Sequence, residues 1–158
     1  MKRQLVFVPV AQQELGVLVG EQQFSDRVAY AVTSELLEEL GYDPSESEDA
    51  EYAALVLASV AGLTIHGQRL VVVADVPVEE VLPGVDSANG EVQLAHLPTT
   101  AITAWFSEEP GVDVADTAAI VRGLTIDQAW EQPQVQQLLH DHDLLWNDVV
   151  EYRPTEGG

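Results

Sequence analysis

Apolar positions along the chain change period several times, and each change marks an element. Leu5-Val6-Phe7-Val8 is an unbroken β-branched and aromatic run stopped by Pro9, the pattern of a strand buried on both faces. Residues 11–19 put Leu15, Leu18 and Val19 on one side of a helix that Gly20 stops. Residues 28–32, Val-Ala-Tyr-Ala-Val, predict a second strand. Thr33 or Ser34 then caps a short helix over 35–40, with Glu35 at the positive end of its dipole and Gly41 as its stop. Ser45 and Glu48 are spaced as a capping box ahead of residues 50–65, which are apolar or small at nearly every position. That pattern predicts a helix buried round most of its circumference, with Gly62 permitting close approach of a neighbour.

Residues 69–76, Arg-Leu-Val-Val-Val-Ala-Asp-Val, end at Pro77 and are the clearest buried strand. Asp75 stands at its carboxyl end, where sites gather in parallel α/β sheets. Beyond the turn-rich stretch 83–90, residues 91–97 and 101–106 read as two more strands. The Pro98-Thr99 step between them predicts a tight reversal, hence an antiparallel hairpin reaching a sheet edge. The last third turns helical. Asp113 opens 114–121, Thr125 and Gln128 form a capping box before a helix holding Trp130, and Pro133 fits the first turn of a helix through Val135, Leu138 and Leu139. Past His142 two continuations stay open: more helix over 144–152, or a short extended segment. Strands alternate with helices before residue 80 and not after it. The expectation is an α+β fold, with α/β as the alternative. It is a single domain over 1–152 with a mixed sheet of four or five strands, a mainly helical C-terminal third and a tail at 153–158. The parallel part of the sheet would come from right-handed crossovers.

Charge then narrows the function. The chain carries 27 acidic against six basic residues, a formal −21, yet 46% of it is apolar, so it folds rather than remaining disordered. No block of five like charges occurs, and the acidity reads as a solvated surface. Binders of nucleic acid neutralise phosphates with Lys and Arg. One lysine and five scattered arginines argue against nucleic acid and anionic membranes, and for a basic protein partner or simple solubility. The absence of cysteine removes disulfides, thiolate metal sites and Cys nucleophiles. The N-terminal apolar run is too short for a signal peptide and residues 53–65 too short for a membrane span, so a cytoplasmic location is expected.

Candidate chemistry concentrates in His-Asp-His-Asp-Leu-Leu-Trp at 140–146. If 135–149 were one helix, His142 would share an apolar face with Leu138, Leu139, Leu145 and Trp146, and would be a hydrogen-bonded core residue. His140 and Asp143 would be neighbours three apart, whereas His140 and His142 could not chelate one ion from a regular helix. The spacing is similar to that of zinc hydrolases with paired histidines after a strand, but a third nearby His and the upstream strand are missing, so no metal and no cofactor are expected. No G-x-S-x-G, P-loop or G-x-G-x-x-G occurs, and Glu79/Glu80 and Glu108/Glu109 read as solvated loop pairs. The candidate binding residues are Asp75, His140, His142, Asp143 and Trp146, with Trp146 the natural partner anchor.

Five segments together carry a resemblance: F-V-P at 7–9, A-Y-A-V-T at 29–33, E-Y-A-A-L at 51–55, R-L-V-V-V-A-D-V-P at 69–77 and H-D-H-D-L-L-W at 140–146. In order and spacing the chain resembles an actinobacterial family of small acidic proteins of unknown function. The resemblance implies a bacterial cytoplasmic protein and supplies no activity. The residues themselves leave two functions open: a non-enzymatic interaction or regulatory module, and a small hydrolase or ligand-binding enzyme with its site near Asp75, His142 and Trp146. A homodimer through the 91–106 edge is a further expectation, because at ~0.15 M salt the Debye length of about 8 Å lets a short-range apolar contact outweigh charge repulsion.

Overall fold

A computed structural model describes residues 3–11, 23–86, 89–98 and 101–148. The helix expected over 11–19, apart from Ala11, and the tail at 153–158 lie outside these. In chain order the elements are β1 (Arg3–Pro9), β2 (Gln23–Tyr30), α1 (Ser34–Leu40), α2 (Ser47–His66), β3 (Val71–Pro77), β4 (Val81–Pro83), β5 (Glu91–Pro98), β6 (Ile102–Ser107), α3 (Ala115–Val121), α4 (Ile126–Trp130), α5 (Pro133–Asp141) and β7 (Leu145–Asp148). The seven strands form one sheet in the order β4-β5-β2-β1-β3-β6-β7.

Among the described residues every pairing in that sheet is antiparallel, and there are seven strands rather than four or five. Between β2 and β3 the expected helices are present, but the crossover skips a strand. β2 and β3 both run antiparallel to β1, which lies between them, so they are parallel to each other without touching. The expected 91–106 hairpin is also absent. β5 pairs with β2 and β4, while β6 pairs with β3 and β7 on the far side of the sheet. Both strands are therefore interior, and the edges are β4 and β7.

Buried residues on both faces of the central strands explain why the sequence looked parallel. On one face Phe7, Tyr30, Val71, Val73 and Ala104 pack beneath α2. On the other Val6, Val8, Val72, Ala74, Val76, Leu94 and Leu97 form a second, valine-rich core. The chain passes from Pro77 to Val81, four strands away in the sheet order, in only four residues. Four interstrand spacings in a flat sheet are roughly 19 Å, whereas four residues reach about 14 Å. The sheet must curl, and its concave side encloses the second core, against which Val81 packs.

Local signals hold at most helix ends. The Thr33 side chain accepts from Leu36 N, and Thr125 with Gln128 forms the full capping box. At α2 the expected box is not made: Ser45 instead donates to Asp43, and Glu46 precedes the helix without a side-chain cap. Gly67, with φ 76°, ends α2 in the left-handed conformation. Gly62 is buried so tightly that an added Cβ would lie 2.6 Å from the Gln68 carbonyl oxygen. Among the described residues no helix is long and apolar enough to cross a membrane.

Candidate functional site

Among the described residues α2 packs chiefly on β1 and then on β2 and β3, and no helix makes more than slight contact with the β6–β7 flank of the sheet. A groove of about 1300 Å³ opens there and extends along α2 to α1 and α4. Its floor is Leu5, Phe7, Val73, Ala104, Phe106 and Trp146. Phe106 and Trp146 are direct partners across β6 and β7, which puts both on the α2 side. The α2 wall presents Glu48, Tyr52, Leu55, Val56 and Ser59, spaced three and four apart and so on one helical face. A bulge in β6 at the Val73/Ala74 step makes room for an extra residue, Thr103, so that Ile102 and Ala104 point to opposite cores.

Arg69 closes the groove from below. Its side chain is 2% exposed, and its Nε and Nη2 donate to the two Glu108 carboxylate oxygens at 2.6 Å each. Nη2 also donates to the His142 carbonyl at 2.9 Å. One guanidinium thus ties the α2–β3 turn to the end of β6 and the end of α5. Glu108 is not the solvated loop acid expected of it. An arginine abutting a buried apolar strand was the available sign that it needs an acid partner.

The 140–146 segment is divided by the end of α5. Val135 and Leu138 are buried in the core as the helical reading requires, but the helix stops at Asp141. His142 is its extended C-cap, with φ −137° and ψ 104°, and its amide donates to Leu138 O at 3.0 Å. The His142 ring is half-exposed, 3.7 Å from Glu109, and not on the apolar face predicted for it. Arg69 holds its carbonyl instead, and the chain then turns into β7. His140 is almost fully exposed beside Asp141. The Asp141 carboxyl is held below its usual range by hydrogen bonds from Gln137 and His140.

His140, His142, Asp143 and Trp146 all line the groove, so four of the five expected residues come together. Asp75 does not join them. It opens onto an adjoining cavity of about 600 Å³ and pairs with Arg3 at 3.3 Å. Leu5 and Glu51 border both cavities. The sequence reading missed Tyr52, which is 58% exposed despite sitting in the most apolar helix. Its hydroxyl donates to Asp143 at 3.4 Å, joining the α2 wall to the turn before β7. Partial burial, and then the charge and hydrogen bond of Asp143, raise the Tyr52 pKa above the ordinary tyrosine value.

Electrostatically the rim is one-sided. Glu39, Glu48, Glu51, Asp127 and Asp143 border the groove, while Arg69 is already neutralised by Glu108. Trp130, Tyr52 and Trp146, all substantially exposed, supply aromatic faces. Among the described residues no three His, Asp or Glu side chains converge as metal ligands. The arrangement is suited to holding an apolar body that carries positive charge.

These features define an antiparallel α+β protein with a split β-α-β core and an apolar, acid-rimmed groove on its helical face. The chain belongs to a family of unknown function, DUF6912, which is matched over residues 4–154. No curated protein and no solved structure matches it.

Proposed function

We propose that this protein is a cytoplasmic, non-enzymatic binding module whose groove takes a cationic, apolar segment of a protein partner. The observation that carries the reading is the pairing of the exposed aromatic faces of Tyr52, Trp130 and Trp146 with a rim of five carboxylates and no uncommitted Arg or Lys among the described lining residues. Apolar area supplies affinity and the rim supplies selection for positive charge. The net charge of −21 draws basic partners from solution and repels acidic ones. A hydrolytic site built on Asp75, His142 and Trp146 is less well supported, since Asp75 faces a different cavity and is engaged by Arg3.

Calorimetric titration with a Leu/Lys peptide and with its Leu/Glu counterpart tests this. The lysine peptide should bind, lose affinity as salt rises, and lose about tenfold with the Glu51→Lys and Asp143→Lys variants, a factor equal to about 1.4 kcal/mol. Equal binding of the Leu/Glu peptide, or indifference to both charge reversals, would sink the proposal.

A further inference from the structure

At the turn entering β5 the fold sets an asparagine directly before a glycine. From its surroundings we infer that Asn89 is a self-modification site: its side-chain amide converts to a carboxylate, and a clamp made by Asp86 and Asp127 restrains that conversion while the chain is folded.

Three observations carry it. The first is that the fold fixes glycine at position 90. Its φ is 80°, and an added Cβ would lie 2.6 Å from the Ala31 carbonyl oxygen, so a side chain there is excluded twice over. With no Cβ to shield its nitrogen, a glycine amide is the one most open to the side chain of a preceding asparagine. The second is how that side chain is held. Asn89 Nδ2 donates to Asp86 Oδ2 at 2.8 Å and to Asp127 Oδ1 at 3.1 Å, which commits both amide hydrogens. Turning Cγ toward the Gly90 nitrogen requires breaking at least one of these bonds. The Asn89 backbone amide also donates to the Asp86 carbonyl at 3.1 Å, so the turn holds both ends of the clamp together. The third is charge. Ring closure passes through a deprotonated backbone nitrogen, and two carboxylates beside the amide disfavour that anion.

The chemistry balances with water alone. The Gly90 nitrogen gives its proton to solvent base and bonds to Asn89 Cγ, the Cγ–Nδ2 bond breaks, and the amide nitrogen leaves as ammonia. Water then opens the succinimide at either carbonyl, leaving an aspartyl or isoaspartyl residue. The product has no side-chain amide to donate to Asp86 or Asp127 and sets another carboxylate against both, so the clamp does not re-form. Asp127 lies in the first turn of α4, and conversion therefore detaches the turn before β5 from that helix in one direction only. Because Asn89 and Asp127 both border the groove, it also adds negative charge to the rim.

The test incubates the full chain in mildly alkaline buffer, native and in urea, and follows the amide-to-acid mass change at Asn89 by mass spectrometry of its digest. The native protein should convert at least about tenfold more slowly than the unfolded chain, because only locally opened molecules react. Asp127→Ala, at an exposed position, should speed the native reaction severalfold, whereas Asp116→Ala, the same loss of charge at an exposed position of α3, should not. Asn89→Asp, which stands for the product, should melt at a lower temperature than the wild type at low salt, by a margin that shrinks as salt rises. Absence of conversion at Asn89 in both states overturns the site. Equal native and unfolded rates, or indifference to Asp127→Ala, overturn the clamp. An Asn89→Asp variant that melts with the wild type at low salt overturns the detachment from α4.

Discussion

Arg69 stands between the end of an apolar helix and the start of an apolar strand with its guanidinium almost sealed from water, and its three hydrogen bonds decide where the groove's floor and end wall sit. A buried pair of this kind contributes little net stability against an apolar pair of similar volume, because desolvation offsets most of the attraction. Removing one partner is different, since it strands a charge. Glu108→Ala should destabilise the protein by about 3–5 kcal/mol, whereas the double change Arg69→Met with Glu108→Leu should recover most of that loss. Urea unfolding of Arg69→Met, Glu108→Leu and their double, read as a mutant cycle beside Glu108→Ala, checks this. If Glu108→Ala costs less than about 1 kcal/mol, the pair is solvated in solution and does not position the 142–144 turn.

At the level of elements, α2 shows how close packing is written in one residue. Gly62 faces the carbonyl of Gln68 and the side chain of Pro9, and an added methyl has nowhere to go because the nearest atom is backbone. Gly62→Ala gains helix propensity, worth about 1 kcal/mol, yet should still lower stability by about 1–3 kcal/mol through overpacking. Thermal unfolding of that variant beside Ala53→Gly, a propensity change at a roomier position of the same helix, separates the two effects. The close approach at Gly62 was legible in the sequence, as were Thr33, the Thr125–Gln128 box, Pro133 and the cores of β1 and β3, because each is fixed by chemistry within a few residues. Strand partnership was not. Residues 91–97 and 101–106 read as a hairpin because they are adjacent in sequence, but their partners β2 and β3 are set by a curled sheet that no local pattern encodes. Doubly apolar strands suggested parallel pairing, when α2 on one face and curvature on the other bury an antiparallel sheet equally well. The candidate site was half legible for the same reason. The 140–146 run was visible from composition, but its geometry depends on Arg69, more than seventy residues earlier, ending α5 at His142.

For the whole molecule, one field acts on stability and on binding with opposite sign. Twenty-seven carboxylic side chains against six cations are spread along the chain, so the folded state concentrates repulsion that the unfolded chain relieves by expanding. Among the described residues the closest ion pair, Arg69 with Glu108, is internal and offsets little of that surface charge. Screening length falls from about 30 Å at 0.01 M salt to about 3 Å at 1 M, so added salt should remove the long-range part of the repulsion first. Raising sodium chloride from about 0.01 M to 0.5 M should stabilise the fold by about 1 kcal/mol or more, equivalent to a rise of about 2–4 °C in melting temperature for a chain of this size. Potassium or choline chloride should act to the same extent, because screening does not depend on the cation's identity. Over the same range the affinity for a Leu/Lys peptide should fall, since the rim that repels its own neighbours is what attracts the ligand. Differential scanning calorimetry and peptide titration on one preparation give both slopes. A melting temperature that rises with sodium but not with choline would mean that specific cation binding, rather than distributed repulsion, governs the acidic surface.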